Sequence, residues 1–123
     1  MRLKDKTALI TGGARGIGKE IAVRFAKEGA DIIIWDVLEE GEKVAEEIKK
    51  IGRESVFQKV DITNLTDIRE KAKDVIQKFD GLDILVNNAG ITRDNLIIRM
   101  EESEWESVIT VNLKGTFNCT KSF

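Results

Sequence analysis

The stretch Thr11-Gly12-Gly13-Ala14-Arg15-Gly16-Ile17-Gly18 constrains this chain more than any other. It follows the apolar run Ala8-Leu9-Ile10 and opens a helical pattern, so a strand must turn sharply into a helix across Gly12, Gly16 and Gly18. Positive φ and close backbone approach are cheap only where there is no Cβ. The helix beyond the turn aims free N–H groups and its positive dipole end at whatever lies over it, and a pyrophosphate is the natural guest.

Three identities compete for the turn. The dinucleotide pattern G-x-G-x-x-G is not matched. A phosphate-binding P-loop fits from Gly13 to Gly18-Lys19 and fails at Glu20, where a carboxylate stands in place of the hydroxyl that holds Mg²⁺. The pattern T-G-x-x-x-G-x-G is matched in full by Thr11, Gly12, Gly16 and Gly18. A plain structural βα turn is the remaining alternative.

The rest of the chain alternates strand and helix. Residues 7–11 read as a buried strand. Ile17, Ile21, Phe25 and Ala26 recur at helical spacing before Gly29. Residues 31–36 hold four apolar residues in a row, Ile32-Ile33-Ile34-Trp35, as in a parallel strand covered on both faces. Ala45, Ile48 and Ile51 mark a second helix ended by Gly52. Residues 56–61 form a third strand of mixed polarity, nearer an edge. Residues 64–79 form an amphipathic helix with Leu65, Ile68, Ala72, Val75, Ile76 and Phe79 toward the core, stopped by Gly81. Residues 83–87 give the fourth strand, and a short helix is predicted at 95–100. Ser103 and Glu106 have capping-box spacing and open a final helix with Trp105, Val108, Ile109, Val111 and Leu113 as apolar contacts. The order βαβαβαβα predicts an α/β fold, a right-handed, doubly wound parallel sheet in one domain.

Composition removes several function classes. A net charge of −2 gives no electrostatic case for nucleic acid or an anionic membrane. No apolar run approaches membrane-spanning length, and the N-terminal residues lack a signal-peptide core. There is no His, which rules out His bases and His-containing metal sites, and no metal site is expected. The single cysteine, Cys119, cannot form an internal disulfide, so a cytoplasmic setting is the default.

Other residues join the glycine turn. Asp36 ends the second strand, where a carboxylate can accept hydrogen bonds from ribose hydroxyls and would repel a 2′-phosphate. Arg15 points the other way, since its guanidinium can pair with a 2′-phosphate. The balance leans to NAD over NADP, with dual use left open. Asp61-Ile62 ends the third strand, where it could hold an adenine edge or be an ordinary strand end. Asn87-Asn88-Ala89-Gly90 ends the fourth, at the position where open α/β sheets bind ligands, although Asn and Gly also make simple turns. Asn112, between Val111 and Leu113, interrupts the apolar face of the final helix; buried there, it needs partners and could distort the helix.

These residues together resemble the short-chain dehydrogenase/reductase family. The carrying motifs are Thr11-Gly12-x-x-x-Gly16-x-Gly18, Asp36, Asp61-Ile62, Asn87-Asn88-Ala89-Gly90 and Val111-Asn112-Leu113-Lys114-Gly115. Residues 87–100 are similar to bacterial 3-oxoacyl-acyl-carrier-protein reductases. The resemblance implies a Rossmann-type sheet of strand order 3-2-1-4 and hydride transfer between NAD(P)H and a ketone. It implies that Gly12, Arg15, Gly16, Ile17 and Gly18 wrap the cofactor's phosphates and adenosine ribose. Asp36 would select the 2′-hydroxyl, Asp61 and Ile62 would contact adenine, and Asn88, Ala89 and Gly90 would lie along the ribose. Asn112 would belong to the Asn-Ser-Tyr-Lys catalytic set, supporting a water in the proton relay.

The Ser and the Tyr-x-x-x-Lys of that set are placed by the resemblance beyond Asn112, whereas the sequence runs to Phe123 and holds no Tyr. The expectation is an N-terminal half that binds cofactor and is inactive alone; a nucleotide-binding module or a structural fragment are the alternatives. Strand order 3-2-1-4 would leave Ile84-Leu85-Val86 as an apolar open edge. That edge and the last helix, which in the family packs on a subunit neighbour, are expected to drive self-association. The full-length substrate is expected to be a small molecule or an acyl-carrier-protein-linked ketone.

Overall fold

The computed structural model of the chain describes residues 1–90 and 99–123. All five residues of β1 (Thr7–Thr11) are buried, which an extended segment achieves only with layers on both of its faces. The elements that follow are α1 (Gly16–Lys27), β2 (Asp31–Asp36), α2 (Gly41–Ile51), β3 (Ser55–Lys59), α3 (Leu65–Phe79) and β4 (Ile84–Val86). The last helix comprises α4 (Glu102–Ile109), a π-helical turn (Thr110–Lys114) and α5 (Gly115–Ser122). The strands pair in parallel in the order β3-β2-β1-β4, as the alternating pattern predicts.

Alternation along β1 and β2 builds the two cores. Ala8, Ile10, Ile32 and Ile34 pack against Ala22 and Ala26 of α1 and Val44 and Ile48 of α2. Leu9, Ile33 and Trp35 face the other way, against Ile68, Ala72 and Val75 of α3 and Cys119 of α5. Each large side chain fully buried this way contributes roughly 1.5–3 kcal/mol. A central parallel strand therefore reads as an unbroken apolar run rather than an alternating one. Burial also pushes the Cys119 thiol up to about 11, which keeps it neutral and unfit as a nucleophile near pH 7.

Helix ends follow local chemistry. The Asn64 side chain caps α3 by accepting from the Asp67 N–H at 3.1 Å. Gly29 and Gly52 take up left-handed backbone behind α1 and α2, as their positions in the sequence predict. Asp80 holds the left-handed C-cap of α3, and Gly81 follows it.

Several expectations need correction. β3 and β4 are shorter than predicted, and residues 61–64 turn back on themselves, with the Asn64 N–H donating to the Asp61 carbonyl. Ile17, Ile51 and Ile76, predicted to face the core, are exposed. The last helix starts at Glu102 with Glu101 as an extended N-cap and no side-chain cap bond. Ser103 lies inside the first turn, where its carbonyl accepts from the Ser107 hydroxyl, so the capping box does not form. Trp105, Ile109 and Leu113 are exposed rather than packed, because that side of the helix points away from both cores. Asn112 is exposed too, so the expectation that it is buried was wrong. The predicted distortion is present: the helix takes a π turn around Asn112, whose carbonyl accepts from the Thr116 hydroxyl at 2.9 Å. The short helix expected at 95–100 lies for the most part outside the described residues.

Candidate functional site

The carboxyl ends of the four strands open into one cleft of about 460 Å³. Its floor is the β1–α1 turn. Gly12 and Gly16 have φ of +68° and +59°, the left-handed region that favours glycine. A Cβ on Gly12 would lie 2.9 Å from Ala89 Cα and 3.0 Å from Asn88 Nδ2, so only glycine admits the end of β4 this closely. Gly18 is buried behind the turn rather than at the cleft surface, and a Cβ there would collide with the Gly12 carbonyl oxygen. Over Gly16 the space is open among the described residues, with nothing outside its own helix and chain neighbours within 4 Å of where a Cβ would stand.

The N-terminus of α1 meets that space uncapped. Arg15, the N-cap, makes no side-chain cap bond, and the first turn carries no acidic residue. Free N–H groups and the positive end of the helix dipole thus face an open hollow, the arrangement that binds phosphate oxygens. Lys19 leans away and pairs with Glu47 of α2 at 3.5 Å, which removes the lysine a P-loop would aim at its phosphates.

Asp36 stands at the side of the turn. Its Oδ2 accepts the Ala14 N–H at 3.0 Å and its Oδ1 the Leu38 N–H at 3.2 Å. Two backbone donors thus hold the carboxylate in place, and its remaining lone pairs stay available to hydroxyl donors. Arg15 is exposed and lines the same end of the cleft.

The next wall is the turn after β3. Asp61 Oδ1 accepts both the N–H and the hydroxyl of Thr63, at 2.9 and 2.6 Å. Ile62 is 8% exposed, and its carbonyl accepts from the buried Asn118 amide at 3.1 Å.

The opposite wall is the end of β4, tied to β1 by one hydroxyl. Thr11 Oγ1 accepts the N–H groups of Asn88 and Ala89, both at 3.0 Å, and donates to the Val86 carbonyl at 3.3 Å. Asn88 Nδ2 donates to the Gly12 carbonyl at 3.1 Å, joining this wall to the glycine turn. Asn87 points elsewhere and donates to Thr120 Oγ1 on α5 at 3.1 Å. Gly90 approaches the π turn: a Cβ on it would lie 3.1 Å from Asn112 Oδ1.

Gly12, Arg15, Gly16, Ile17, Asp36, Asp61, Ile62, Asn88, Ala89 and Gly90 all line this one cleft. Gly18 supports it from behind, and Asn112 stands beside its Gly90 end. The sequence reading did not place Val37, Leu38, Val60, Thr63 and Val111 at the cleft, although they also line it. Thr63 carried a signal, since a hydroxyl two residues after an aspartate is a common turn partner. Val37, Leu38 and Val60 adjoin the acidic strand ends and could have been inferred from them. Val111 had no local signal, because its position depends on how the last helix docks.

An elongated guest with an anionic centre fits this arrangement. Open space and helix N–H groups lie over Gly16, a carboxylate for hydroxyl donors stands on one side, and an apolar wall at Ile62 can take a flat ring. Among the described residues no group of acidic or cysteine side chains could hold a metal ion, and no helix is long and apolar enough to cross a membrane.

Comparisons with known proteins place the chain in a family. The family model described as short chain dehydrogenase matches residues 6–123. The 3-oxoacyl-[acyl-carrier-protein] reductase FabG of Staphylococcus aureus is 47% identical over 116 residues, covering 93% of this chain and 47% of that protein. The FabG of Thermotoga maritima is 44% identical over 122 residues, covering 98% of this chain and 50% of that protein. A crystal structure described as a putative short-chain alcohol dehydrogenase from Sinorhizobium meliloti superposes with a TM-score of 0.91 at 33% identity. That superposition covers 98% of this chain and 48% of the other. The chain spans about half the length of the curated relatives it matches.

Proposed function

The chain belongs to the short chain dehydrogenase family, and from that premise we propose that it forms the dinucleotide-binding half of an NAD(P)-dependent ketoreductase. The observation that carries this is the convergence of the glycine turn, Asp36, Asp61-Ile62 and Asn88-Ala89-Gly90 on one cleft. Gly16 and the N-terminus of α1 would hold the pyrophosphate, Asp36 the adenosine ribose and Ile62 the adenine. Asn88, Ala89 and Gly90 would hold the second ribose, with Asn112 beside Gly90. When bound, the nicotinamide supplies a hydride. The FabG names of the relatives support a 3-oxoacyl thioester carried by acyl carrier protein as the substrate of the full-length enzyme. The 123 residues contain no Tyr and hence no Tyr-x-x-x-Lys, so this chain alone binds the cofactor without turning over a ketone.

Asp36 favours NADH, because its carboxylate accepts from the 2′- and 3′-hydroxyls and repels a 2′-phosphate. Titration of the chain with NADH and NADPH, followed by quenching of Trp35 and Trp105 fluorescence, tests this. NADH is expected to bind more tightly. Asp36→Asn keeps an oxygen for one of the two N–H groups, gives up the acceptor of the other and removes the charge, and is expected to shift the ratio of the two affinities toward NADPH by about tenfold. An unchanged ratio would remove Asp36 as the selector, and failure of both nucleotides to bind would overturn the reading. In the same preparation, oxidation of NADH by a 3-oxoacyl thioester would overturn the claim that the chain is inactive alone.

Self-association is proposed from two surface features, the half-buried edge strand β4 and an exposed apolar ridge. β4 pairs with β1 on one side only and forms an edge of the four-stranded sheet. Trp105, Ile109, Leu113 and Phe117, spaced four apart on the last helix, are 59%, 37%, 64% and 59% exposed. An apolar ridge of this kind marks an interaction surface. Light scattering is expected to give a mass above that of one chain at high concentration and a lower mass for Leu113→Glu; a monomer throughout would refute it.

A further inference from the structure

Gly115 and Asn118 lie on one turn of α5, and both engage Ile62. Gly115 is buried, and a Cβ on it would stand 2.5 Å from Ile62 Cδ1 and 2.7 Å from Cγ1, so the missing side chain lets the helix seat directly on the isoleucine. Asn118 is 3% exposed, and its Nδ2 donates to the Ile62 carbonyl at 3.1 Å. One residue of the helix receives the Ile62 side chain and the other holds its main chain.

The turn they grip is otherwise closed mainly on itself. Asp61 takes both donors of Thr63, and the Asn64 N–H returns to the Asp61 carbonyl. Its far end is held by α3, since Asn64 accepts the Asp67 and Ile68 N–H groups, whereas the Ile62 carbonyl is held by Asn118 of α5. The Asp67 carboxylate accepts the Asp61 N–H only at 3.4 Å, a weak tether. The Asn118 bond is shorter and is buried, where a hydrogen bond is strong and an unpaired carbonyl is costly.

We propose that Asn118 is a positioning residue that sets affinity for the adenosine half of the dinucleotide, by fixing the Ile62 carbonyl and with it the apolar wall of the cleft. The inference rests on the proposed dinucleotide function, and it predicts that the adenosine end and the glycine turn are tuned separately. Asn118 does not reach the glycine turn; its effect passes through Ile62.

Asn118→Leu keeps the volume and removes the donor. Val75→Ala, in the same core but on α3, serves as a control that loses packing while leaving the donor to the Ile62 carbonyl in place. Calorimetric titration of the 123-residue chain with ADP-ribose and with inorganic pyrophosphate separates the two ends of the cleft. The expected result for Asn118→Leu is an ADP-ribose affinity about tenfold weaker with pyrophosphate binding unchanged. Val75→Ala should lower the melting temperature and leave both affinities in place. Equal loss of ADP-ribose affinity in both variants, or none in Asn118→Leu, would overturn the proposal. Amide hydrogen exchange without ligand gives an independent reading. Asn118→Leu should speed exchange at Thr63 and Asn64 at least tenfold relative to the amides of residues 12–18, and equal protection there would also overturn the proposal. If the unaltered chain binds no ADP-ribose, the dinucleotide function falls while the exchange result still decides whether Asn118 holds the turn.

Discussion

Gly18→Val is expected to abolish dinucleotide binding and to destabilise the chain by about 3 kcal/mol or more. The new side chain would enter the Gly12 carbonyl and the Asn88 amide, and the first of these is backbone that cannot rotate aside. Either α1 lifts off the turn or the turn opens, and both changes move the N–H groups that face the hollow over Gly16. Thermal denaturation and NADH titration read the two effects. We expect the melting midpoint to fall by roughly 10 °C and the affinity to fall at least about a hundredfold. Gly52→Ala is the companion variant. It places a Cβ at φ +102° in open space behind α2, so it should cost stability through backbone strain without touching the cleft. If both variants lose binding equally, the effect at Gly18 is only a general loss of stability.

The second large effect is expected at Thr11. Thr11→Val preserves shape and removes a hydroxyl that makes three hydrogen bonds. The Ala89 N–H loses its acceptor in a part-buried site, while the Asn88 N–H keeps the Val86 carbonyl at 3.0 Å. At about 1–3 kcal/mol for one unsatisfied group, a loss of about 1–3 kcal/mol is expected. The loss should concentrate at β4, which among the described residues has β1 as its one strand neighbour. Hydrogen exchange should therefore quicken across residues 84–89 while β2 stays protected, and NADH binding should weaken because that wall of the cleft has moved. Thr11→Ser should restore both. A stability within about 0.5 kcal/mol of the unaltered chain would show that Thr11 does not hold the end of β4.

Burial periodicity makes the sheet legible in the sequence. Ile32-Ile33-Ile34-Trp35 has to be covered on both faces, and Gly12, Gly16 and Gly18 have to lie where a strand turns into a helix. The strand-end positions of Asp36, Asp61 and Asn88 then follow from topology, because parallel strands bring their carboxyl ends to one side. Local reading did less well on the last helix. Ser103 and Glu106 have the spacing of a capping box, yet the chain enters the helix at Glu102 with Glu101 as its cap. Trp105, Ile109 and Leu113 look like core residues by spacing, yet they form an exposed ridge. Periodicity shows which residues share a helix face but not whether anything lies against that face.

The sequence by itself determined the alternation of elements, the parallel sheet and ten of the sixteen described residues that line the cleft. These depend on short-range rules: which residues tolerate positive φ, which alternate in burial and which end strands. Only the tertiary structure decided how those residues are held. It set Asp36 between the N–H groups of Ala14 and Leu38, gave Thr11 the end of β4, placed Gly18 behind the turn rather than in the cleft, and brought Asn118 to the Ile62 carbonyl. These contacts join residues from 22 to 78 positions apart, apart from the local Asp36–Leu38 bond and the short step from Gly18 to Gly12. Their geometry depends on how whole elements dock, to which local propensity is blind.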